Sequence, residues 1–317
     1  MTILVTGANG YLGNNIVKKL VAQGKSVRAM VRDEDKTKKR LGDLASKIEI
    51  IKADVNDKDS LKQALVGVDA VIHLVAIAIE KGSATYERVN YEGTVNVVDA
   101  AVAAGVKRFI NMSQNGASSQ VPYRFLKSKG MAQEYVAAHA PSWTALRPSA
   151  IFGPQDEFFN TFARLLKVTP LVFPLVGGGK AEFQPVSVHD VTEAAVRSLD
   201  DDTTIGKELA LGGPEVLNLG EIERRIIKAV GAWRLLVPAP VALLRPAVWV
   251  LERVLPGSPV TSSLLDLLAV RNTVVDNALV THFRMQPIPF SGANLDYLRE
   301  NTLGGTLAKF LRNATIN

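Results

Sequence analysis

Apolar residues in the first half of the chain form short runs, with helix-like patterns between them. Six strands are predicted, at 2–7, 26–32, 48–54, 70–76, 108–113 and within 142–153. Helices are predicted at 11–24, 59–67 and 91–106, and Gly24, Gly67 and Gly105 are typical helix-ending residues. Because strands alternate with helices and are apolar almost throughout, the pattern predicts an α/β fold with a doubly wound parallel sheet, buried on both faces.

The pattern changes after about residue 153, where prolines and longer apolar runs become frequent. We therefore predict a first domain at 1–153 and a smaller C-terminal lobe at 154–317, partly interleaved with the first domain. The segment "FQPVSVHDVTEAAVRSL" at 183–199 has the pattern of a strand and a helix. We expect it to return to the main sheet.

Composition narrows the possible chemistry. The 317 residues include no cysteine and four histidines, so disulfides and thiolate catalysis are excluded and no metal site is expected. The net charge is +6, but no basic stretch is interleaved with aromatic residues, so nucleic-acid binding is not expected. The first predicted strand starts at residue 2, which leaves no room for a targeting segment and favours a cytoplasmic location.

A glycine-rich turn, "TGANGYLG", lies between the first strand and the first helix. Gly7 permits a tight turn, Gly10 permits a close backbone approach to a pyrophosphate, and Gly13 permits close helix–strand packing. The start of the following helix offers free N–H groups to phosphates. In this strand–turn–helix context the motif predicts a Rossmann-type dinucleotide site.

The glycine spacing and three further segments resemble the short-chain dehydrogenase/reductase superfamily, in its extended or atypical branch. The segments are "VNYEGTVNVVDAA" (89–101), "LRPSAIFGP" (146–154) and "VSVHDVTEA" (186–194). The resemblance implies an NAD(P) site that draws on the glycine turn, the strand ends and the helix that follows the fourth strand. Its predicted residues are Gly7, Asn9, Gly10, Tyr11, Leu12, Gly13, Arg32, Lys36, Asp54, Val55, Leu74, Val75, Ala76, Asn90, Lys129, Pro148 and Ser149.

The end of the second strand favours NADP(H) over NAD(H). An acidic residue usually binds the ribose 2′-OH there in NAD-binding folds, but Val31 takes that place and Arg32 follows it. A guanidinium can hold a 2′-phosphate through two parallel bonds, and Lys36 could assist. The alternative is that Arg32 is a solvated charge and Asp33 binds the ribose hydroxyls.

The stretch "VPYRFLKSKGMAQEYV" at 121–136 contains two candidate catalytic pairs, Tyr123/Lys127 and Phe125/Lys129. The resemblance implies a tyrosine as general acid/base, with a lysine one helical turn later that lowers its pKa and binds the ribose. It also implies a serine that orients the substrate carbonyl, and Ser113 fits that position.

Spacing to Arg147 distinguishes the two registers. In the resembling family the arginine of "LRPS" lies about eighteen residues beyond the lysine, and 147 − 129 = 18, whereas 147 − 127 = 20. Lys129 is therefore the better match, and Phe125 occupies the tyrosine position. Because phenylalanine cannot transfer a proton, this register predicts cofactor binding with weak or absent turnover. The Tyr123/Lys127 register remains the alternative.

Within the superfamily, the chain resembles the Rossmann-fold accessory subunit of respiratory complex I and related epimerase-like proteins. The segments that carry this resemblance are 158–199 and "ELALGGPEVLNLGEI" at 208–222. It implies tight NADPH binding and a structural or assembly role with a protein partner or membrane complex. The alternative is an active NAD(P)-dependent reductase, dehydrogenase or epimerase.

The apolar run at 235–255 is interrupted by three prolines and three charged residues, so it does not predict a membrane-spanning helix. Its helical part, "VALLRPAVWVLERVL", is compatible with peripheral membrane contact or with packing in the C-terminal lobe. The oligomeric state is left open.

Overall fold

The computed structural model describes residues 1–169, 171–254, 262–268 and 270–300. Residue 255 of the apolar run and residues 301–317 of the predicted C-terminal lobe lie outside the described residues. The chain divides into two compact units. Unit 1 is formed by Met1–Pro148, Val188–Leu211 and Val275–Met285, and unit 2 by Ser149–Ser187, Gly212–Val274 and Gln286–Asn317.

Unit 1 is built on a seven-stranded parallel sheet. Its strands are β1 (Thr2–Thr6), β2 (Ser26–Val31), β3 (Glu49–Lys52), β4 (Ala70–His73), β5 (Arg108–Met112), β6 (Trp143–Pro148) and β11 (Lys207–Leu211). Their order across the sheet is β11-β6-β5-β4-β1-β2-β3, and all neighbours are parallel. From β1 the chain adds β2 and β3 on one side and then β4, β5, β6 and β11 on the other. The predicted α/β class, with a doubly wound parallel sheet, is confirmed.

Unit 1 also contains seven α-helices among the described residues. They are α1 (Tyr11–Ala22), α2 (Glu34–Leu41), α3 (Lys58–Leu65), α4 (Gly93–Ala103), α5 (Arg124–His139), α7 (Val188–Arg197) and α11 (Ala278–Thr281). A π-helical turn at Glu87–Glu92 runs directly into α4. Every residue of β4 and β5 is buried, as expected for central strands of a sheet covered on both faces.

The last strand of the main sheet is not the one that the sequence predicts. The strand predicted in 183–199 does not join the main sheet, because Val186–Ser187 pairs with Ile151–Phe152 in unit 2. Its helix, α7, belongs to unit 1. The last strand of the main sheet is β11, which starts with Lys207 and Glu208 and therefore lacks the apolar run by which the other strands were recognised.

A buried arginine joins several elements of unit 1. The guanidinium of Arg108, on β5, donates from Nη2 to the carbonyl of Ser198 at 2.7 Å and to the hydroxyls of Thr144 and Thr204 at 2.7 and 2.5 Å. It also donates from Nη1 to the carbonyl of Ser142. A buried charge costs free energy unless it is hydrogen-bonded, and here four groups from three parts of the chain, 142–144, Ser198 and Thr204, satisfy it.

Unit 2 contains an aromatic core. Its strands and helices are β7 (Ile151–Phe152), α6 (Phe158–Val168), β8 (Val172–Val176), β9 (Glu182–Phe183), β10 (Val186–Ser187), β12 (Leu217–Asn218), α8 (Leu219–Ala229), β13 (Leu235–Ala239), α9 (Val241–Val254) and α10 (Ser262–Leu267). The strands form three two-stranded sheets: β7 with β10, β9 with β12 and β8 with β13. Phe152, Phe159 and Phe290 lie at the centre of the core, with ring centroids 4.6–6.5 Å apart.

Asp156 and Glu223 are buried in unit 2. Asp156 accepts hydrogen bonds from the backbone N–H groups of Phe159 and Asn160 at 2.6 and 3.1 Å and from the hydroxyl of Tyr297 at 2.8 Å. Burial nevertheless raises the pKa of Asp156 to about 6. Burial also raises the pKa of Glu223 to about 8, so that this side chain is neutral at neutral pH.

The apolar run at 235–255 forms β13 and α9. Leu244 packs against the core of unit 2 and Val248 is buried in it, whereas Leu243 and Trp249 are exposed. Among the described residues, no helix is both long enough and apolar enough to cross a bilayer.

We expect Arg108→Met to lower the free energy of unfolding by about 3 kcal/mol or more, because several buried acceptors lose a charged donor. Denaturant unfolding measures the change. Lys25→Met is the matched control, since Lys25 forms a single ion pair with Asp200 near the surface and its loss is expected to cost about 0.5 kcal/mol. Equal effects of the two substitutions would show that the Arg108 cluster contributes no more than a surface pair.

Candidate functional site

The glycine turn joins β1 to α1 by close backbone contacts. Gly7 has φ +65°, a left-handed conformation that favours glycine, and its carbonyl accepts the N–H of Gly10 at 2.9 Å. A Cβ on Gly13 would lie 2.3 Å from the oxygen of Gly7, so no side chain fits there. Gly10 caps α1 without a side-chain hydrogen bond, which leaves the N–H groups of the first turn available to an anion.

A cleft of about 270 Å³ opens at the carboxyl ends of β1, β2, β3 and β4. Predicted site residues that line it are Gly7, Asn9, Gly10, Arg32, Asp54, Val55, Leu74, Val75 and Ala76. Further lining residues are Met30, Val31, Ala53, Asn56, Ile77 and Val89. None of these six is among the predicted cofactor residues, although Ala53, Asn56 and Ile77 each directly extend a predicted segment, 54–55 or 74–76.

The other predicted cofactor residues do not line this cleft, although all are among the described residues. They are Tyr11, Leu12, Gly13, Lys36, Asn90, Lys129, Pro148 and Ser149. Tyr11, Leu12 and Gly13 form the first turn of α1, next to the cleft residue Gly10. The remaining five lie on other elements.

The rim beside β2 carries free positive charge. Arg32 is exposed, lines the cleft and makes no hydrogen bond or ion pair within the described part of the chain. Asp33 caps α2, where its carboxylate accepts the N–H of Lys36 at 2.9 Å. One oxygen of Asp33 is therefore already used by the backbone, while the guanidinium of Arg32 is available to a phosphate.

Asp54 shapes the end of β3. Its Oδ1 accepts the backbone N–H of Asn56 at 2.8 Å and the side-chain amide of the same residue at 3.1 Å. This local turn holds the backbone of residues 53–56 along one wall of the cleft.

Behind the cleft, His73 belongs to a buried chain of hydrogen bonds. Thr6 Oγ1 accepts the N–H of Leu74 at 3.0 Å, so its proton points to His73 Nδ1 at 2.9 Å. Thr94 donates to the carbonyl of Asn90 at 2.7 Å, so it accepts from His73 Nε2 at 3.0 Å. The partners thus assign the neutral tautomer protonated at Nε2.

Electrostatics agree with a neutral His73. Burial, and to a smaller extent the nearby charge of Lys129, lower the pKa of His73 to about 3. This histidine is therefore a structural group of the site rather than an acid at neutral pH.

Asn90 continues this chain to the wall of the cleft. Its amide oxygen accepts the N–H of Ile77 at 2.8 Å, and its amide nitrogen donates to the carbonyl of Ile77 at 3.1 Å and to the hydroxyl of Ser128 at 3.2 Å. The predicted residue Asn90 therefore lies outside the cleft lining but holds in place the segment 74–77 that lines it.

Lys129 is buried on α5 and its Nζ donates to the carbonyl of Met112 at 2.6 Å. An ammonium has three N–H donors, and this is the one hydrogen bond that the described residues provide. Burial lowers the pKa of Lys129 to about 8, which still leaves it mostly protonated at neutral pH. A ligand with hydroxyl acceptors would suit the remaining donors.

Ser113 directly follows Met112, the last residue of β5. Its N–H donates to the carbonyl of Leu146 at 2.8 Å, while its buried hydroxyl has no hydrogen-bond partner among the described residues. Lys129 is therefore hydrogen-bonded to the residue directly before Ser113. Lys129 and Ser113 are the two residues that the sequence predicts in one catalytic site.

The start of α5 separates the two catalytic registers. Lys127 is exposed, whereas Lys129 is buried. Tyr123 is the N-cap residue of α5, and Phe125 lies one turn before Lys129 with its ring edge-on to Tyr86, the ring centroids 5.6 Å apart. The burial of Lys129 and the exposure of Lys127 therefore favour the Phe125/Lys129 register.

Pro148 and Ser149 fall on different units. Pro148 ends β6, and its carbonyl accepts the N–H of Asn115 at 3.0 Å in unit 1. Ser149 belongs to unit 2, where its hydroxyl donates to the carbonyl of Asn272 at 2.7 Å and accepts the N–H of Gln184 at 3.2 Å. Their placement beside a nicotinamide stays a prediction.

Comparisons with known proteins agree with this geometry. A family model described as NAD(P)H-binding matches residues 7–202. NADH dehydrogenase [ubiquinone] 1 alpha subcomplex subunit 9 from mitochondria of Arabidopsis thaliana is 31% identical over 315 residues, which cover 95% of this chain and 78% of the relative. A 3 beta-hydroxysteroid dehydrogenase/Delta 5-->4-isomerase of Mycobacterium tuberculosis is 28% identical over 311 residues, covering 87% and 82% of the two chains.

Among solved structures, a nucleoside-diphosphate-sugar epimerase from Staphylococcus aureus superposes with a TM-score of 0.74. The match covers 95% of this chain and 100% of the epimerase, at 18% sequence identity. At this identity the likeness establishes a shared fold.

We expect Asn90→Ala to free the segment 74–77 and to weaken dinucleotide binding, with a loss of about 2–3 kcal/mol of unfolding free energy from its three hydrogen bonds. Denaturant unfolding and a titration with NADPH measure the two effects. Asn294→Ala is the control, because Asn294 is exposed and makes one bond to the carbonyl of Pro289. Unchanged affinity in Asn90→Ala would contradict a role in holding the cleft.

The matched family model spans more than half of the chain and includes the glycine turn and the cleft. The plant relative extends the similarity to nearly the whole chain, and the predicted superfamily resemblance is confirmed. This chain belongs to the NAD(P)H-binding family, as an atypical short-chain dehydrogenase-like member similar to subunit 9 of the NADH dehydrogenase alpha subcomplex.

Proposed function

We propose that this chain is an NADP(H)-binding protein with weak or absent redox turnover, which acts in the structure, assembly or redox sensing of a larger complex. The observation that carries the proposal is the combination of a buried, hydrogen-bonded Lys129 with Phe125 one helical turn before it. The ribose-binding lysine is retained, whereas the side chain at the tyrosine position cannot transfer a proton.

The residues of unit 1 suit a dinucleotide. The uncapped start of α1 and the glycine turn would hold the pyrophosphate, and Asp54 and Val55 would contact the adenine end of the cleft. Lys129 would donate to the ribose of the nicotinamide half. A bound nicotinamide supplies or accepts a hydride, but Phe125 leaves the accompanying proton without its usual donor.

Arg32 supports a preference for NADP(H). It is exposed on the rim of the cleft with no competing partner among the described residues, and Lys36 lies in the first turn of α2. The carboxylate of Asp33 is partly engaged in capping that helix. A 2′-phosphate would therefore meet two cations at this rim.

We expect NADPH to stabilise the protein against heat more than NADH does, by about 1.5–3 kcal/mol of binding free energy at equal concentration. Arg32→Ala should remove most of this difference because the bidentate donor is lost. Thermal shift measurements with both dinucleotides give the result. The control is Lys39→Ala, because Lys39 is an exposed cation on α2 that does not line the cleft. An NADPH preference that survives in Arg32→Ala would contradict the role given to Arg32.

An active reductase, dehydrogenase or epimerase is the second candidate. The unused hydroxyl of Ser113 favours it, as does similarity over most of the chain to a hydroxysteroid dehydrogenase/isomerase. In that case Tyr123 with Lys127, or Ser113 with water, would supply the proton. Tyr123 is partly exposed at the start of α5, so it remains accessible from solvent.

Turnover of NADPH with a panel of carbonyl substrates distinguishes the two candidates. We expect little turnover in the parent protein, no change in Tyr123→Phe, and a gain of about a hundredfold or more in Phe125→Tyr if a substrate in the panel fits. Lys129→Ala checks whether any activity uses this site. Robust parent activity that disappears in Tyr123→Phe would instead establish the second candidate.

The relatives provide the reason to expect a partner. Several similar proteins are named as subunits of mitochondrial NADH dehydrogenase, so we propose a protein partner or membrane complex of that type for this chain. A location in the cytoplasm, peripheral to the membrane, is part of the same proposal.

A further inference from the structure

An apolar surface lies on the paired strands β8 and β13 of unit 2. The strands run parallel, with Leu235 beside Val172 and Val237 beside Pro174. Because side chains alternate along a strand, these four residues share one face, and all four are exposed. The opposite face carries Phe173 and Leu236, which pack in or against the core of unit 2.

Two further apolar residues extend this surface where the strands begin. Leu171 is 65% exposed and Trp233 is 69% exposed. The carbonyl of Leu171 accepts the N–H of Leu235 at 2.9 Å, so the two strand starts lie together. We call Leu171, Val172, Pro174, Trp233, Leu235 and Val237 the apolar ribbon. A contiguous exposed apolar surface of this kind marks an interaction site.

The two sequence segments that carry the apolar ribbon are basic. Residues 158–180 and 224–251 include no aspartate or glutamate. Their basic residues are Arg164, Lys167, Lys180, Arg224, Arg225, Lys228, Arg234 and Arg245. Arg164, Arg225 and Arg245 form ion pairs with Glu157, Glu215 and Asp266. Lys167, Lys180, Arg224 and Lys228 form no ion pair among the described residues, and unpaired cations attract anions.

Two of these cations stand close in sequence to the ribbon. Lys167 lies in the last turn of α6, shortly before Leu171, and Lys228 lies in the last turn of α8, shortly before Trp233. Neither forms an ion pair among the described residues. Arg234 is already used, since its guanidinium donates to the carbonyls of Leu166 and Trp233 at 2.6 Å each.

We propose that the apolar ribbon, together with Lys167 and Lys228, docks on an anionic lipid bilayer. The outward face offers apolar area and a tryptophan, which is favourable at a membrane interface, and no polar side chain that would specify a protein partner. The two lysines add attraction to acidic headgroups. This inference deepens the peripheral role proposed above by naming its surface and replaces α9 as the main contact.

Binding of the full-length chain to vesicles tests the docking. We expect the protein to sediment with vesicles of phosphatidylcholine mixed with phosphatidylglycerol, to bind pure phosphatidylcholine more weakly, and to dissociate at high salt. The double variant Trp233→Ser/Leu235→Ser should bind the mixed vesicles with an affinity reduced by about tenfold or more, because two apolar anchors are lost. Lys167→Gln/Lys228→Gln should lose only the preference for anionic lipid.

Val216→Ser is the matched control, since Val216 is an exposed apolar residue of unit 2 outside the ribbon. Each variant must keep the parent's melting temperature without added ligand, which reports an intact fold. Arg32→Ala should keep vesicle binding, so that failure of the cofactor proposal and failure of the docking proposal are distinguishable. Absence of parent binding to the mixed vesicles at low salt, or unchanged binding in Trp233→Ser/Leu235→Ser, would overturn the proposal.

Light scattering distinguishes another occupant of the ribbon. A parent dimer that becomes a monomer in Trp233→Ser/Leu235→Ser, without vesicle binding by either protein, would assign the ribbon to a second copy of this chain and overturn the lipid assignment.

Discussion

The candidate site depends on the buried hydrogen-bond chain that starts at Thr6 and ends at Asn90. Each hydroxyl in it donates in one direction and accepts in the other, so the tautomer of His73 is fixed by its neighbours. The chain links β1, β4 and the π-helical turn before α4, and Asn90 then fixes the backbone of Ile77. A charged His73 would have to donate from both nitrogens, which would break this order. The buried cation near this chain is therefore Lys129 and not His73.

The sheet could be predicted because its signals are local. Central parallel strands are buried on both faces and are therefore apolar throughout, as β4 and β5 are. The glycine turn was recognisable because its steric demands exclude other residues, as the contact between Gly13 and the oxygen of Gly7 illustrates. The edge strand β11 was missed because an exposed strand start beginning with Lys207 and Glu208 carries no such signal.

Other features depend on partners far apart in sequence. Arg108 bonds to Ser198, ninety residues away, and nothing near Arg108 indicates that a guanidinium will be buried there. The motif around Asn90 predicts a site residue but not its contacts. Asn90 bonds to backbone atoms of Ile77, which every residue type except proline would offer, so the sequence does not reveal this pairing. The spacing between Lys129 and Arg147 could distinguish the two registers because Lys129 lies on α5 and Arg147 on β6, the next strand along the chain.

The burial of Lys129 has a consequence for stability. Burial lowers the pKa of Lys129 to about 8. At neutral pH the charged Lys129 therefore costs more free energy in the native protein than in the unfolded chain. This cost is fully present below pH 8 and is relieved as pH rises from about 8 toward the ordinary lysine value, where the native state releases its proton first. A ligand that accepts hydrogen bonds from Lys129 relieves the same cost at neutral pH. Dinucleotide binding can therefore stabilise unit 1 by mass action without any turnover, which is what a structural or sensing role requires.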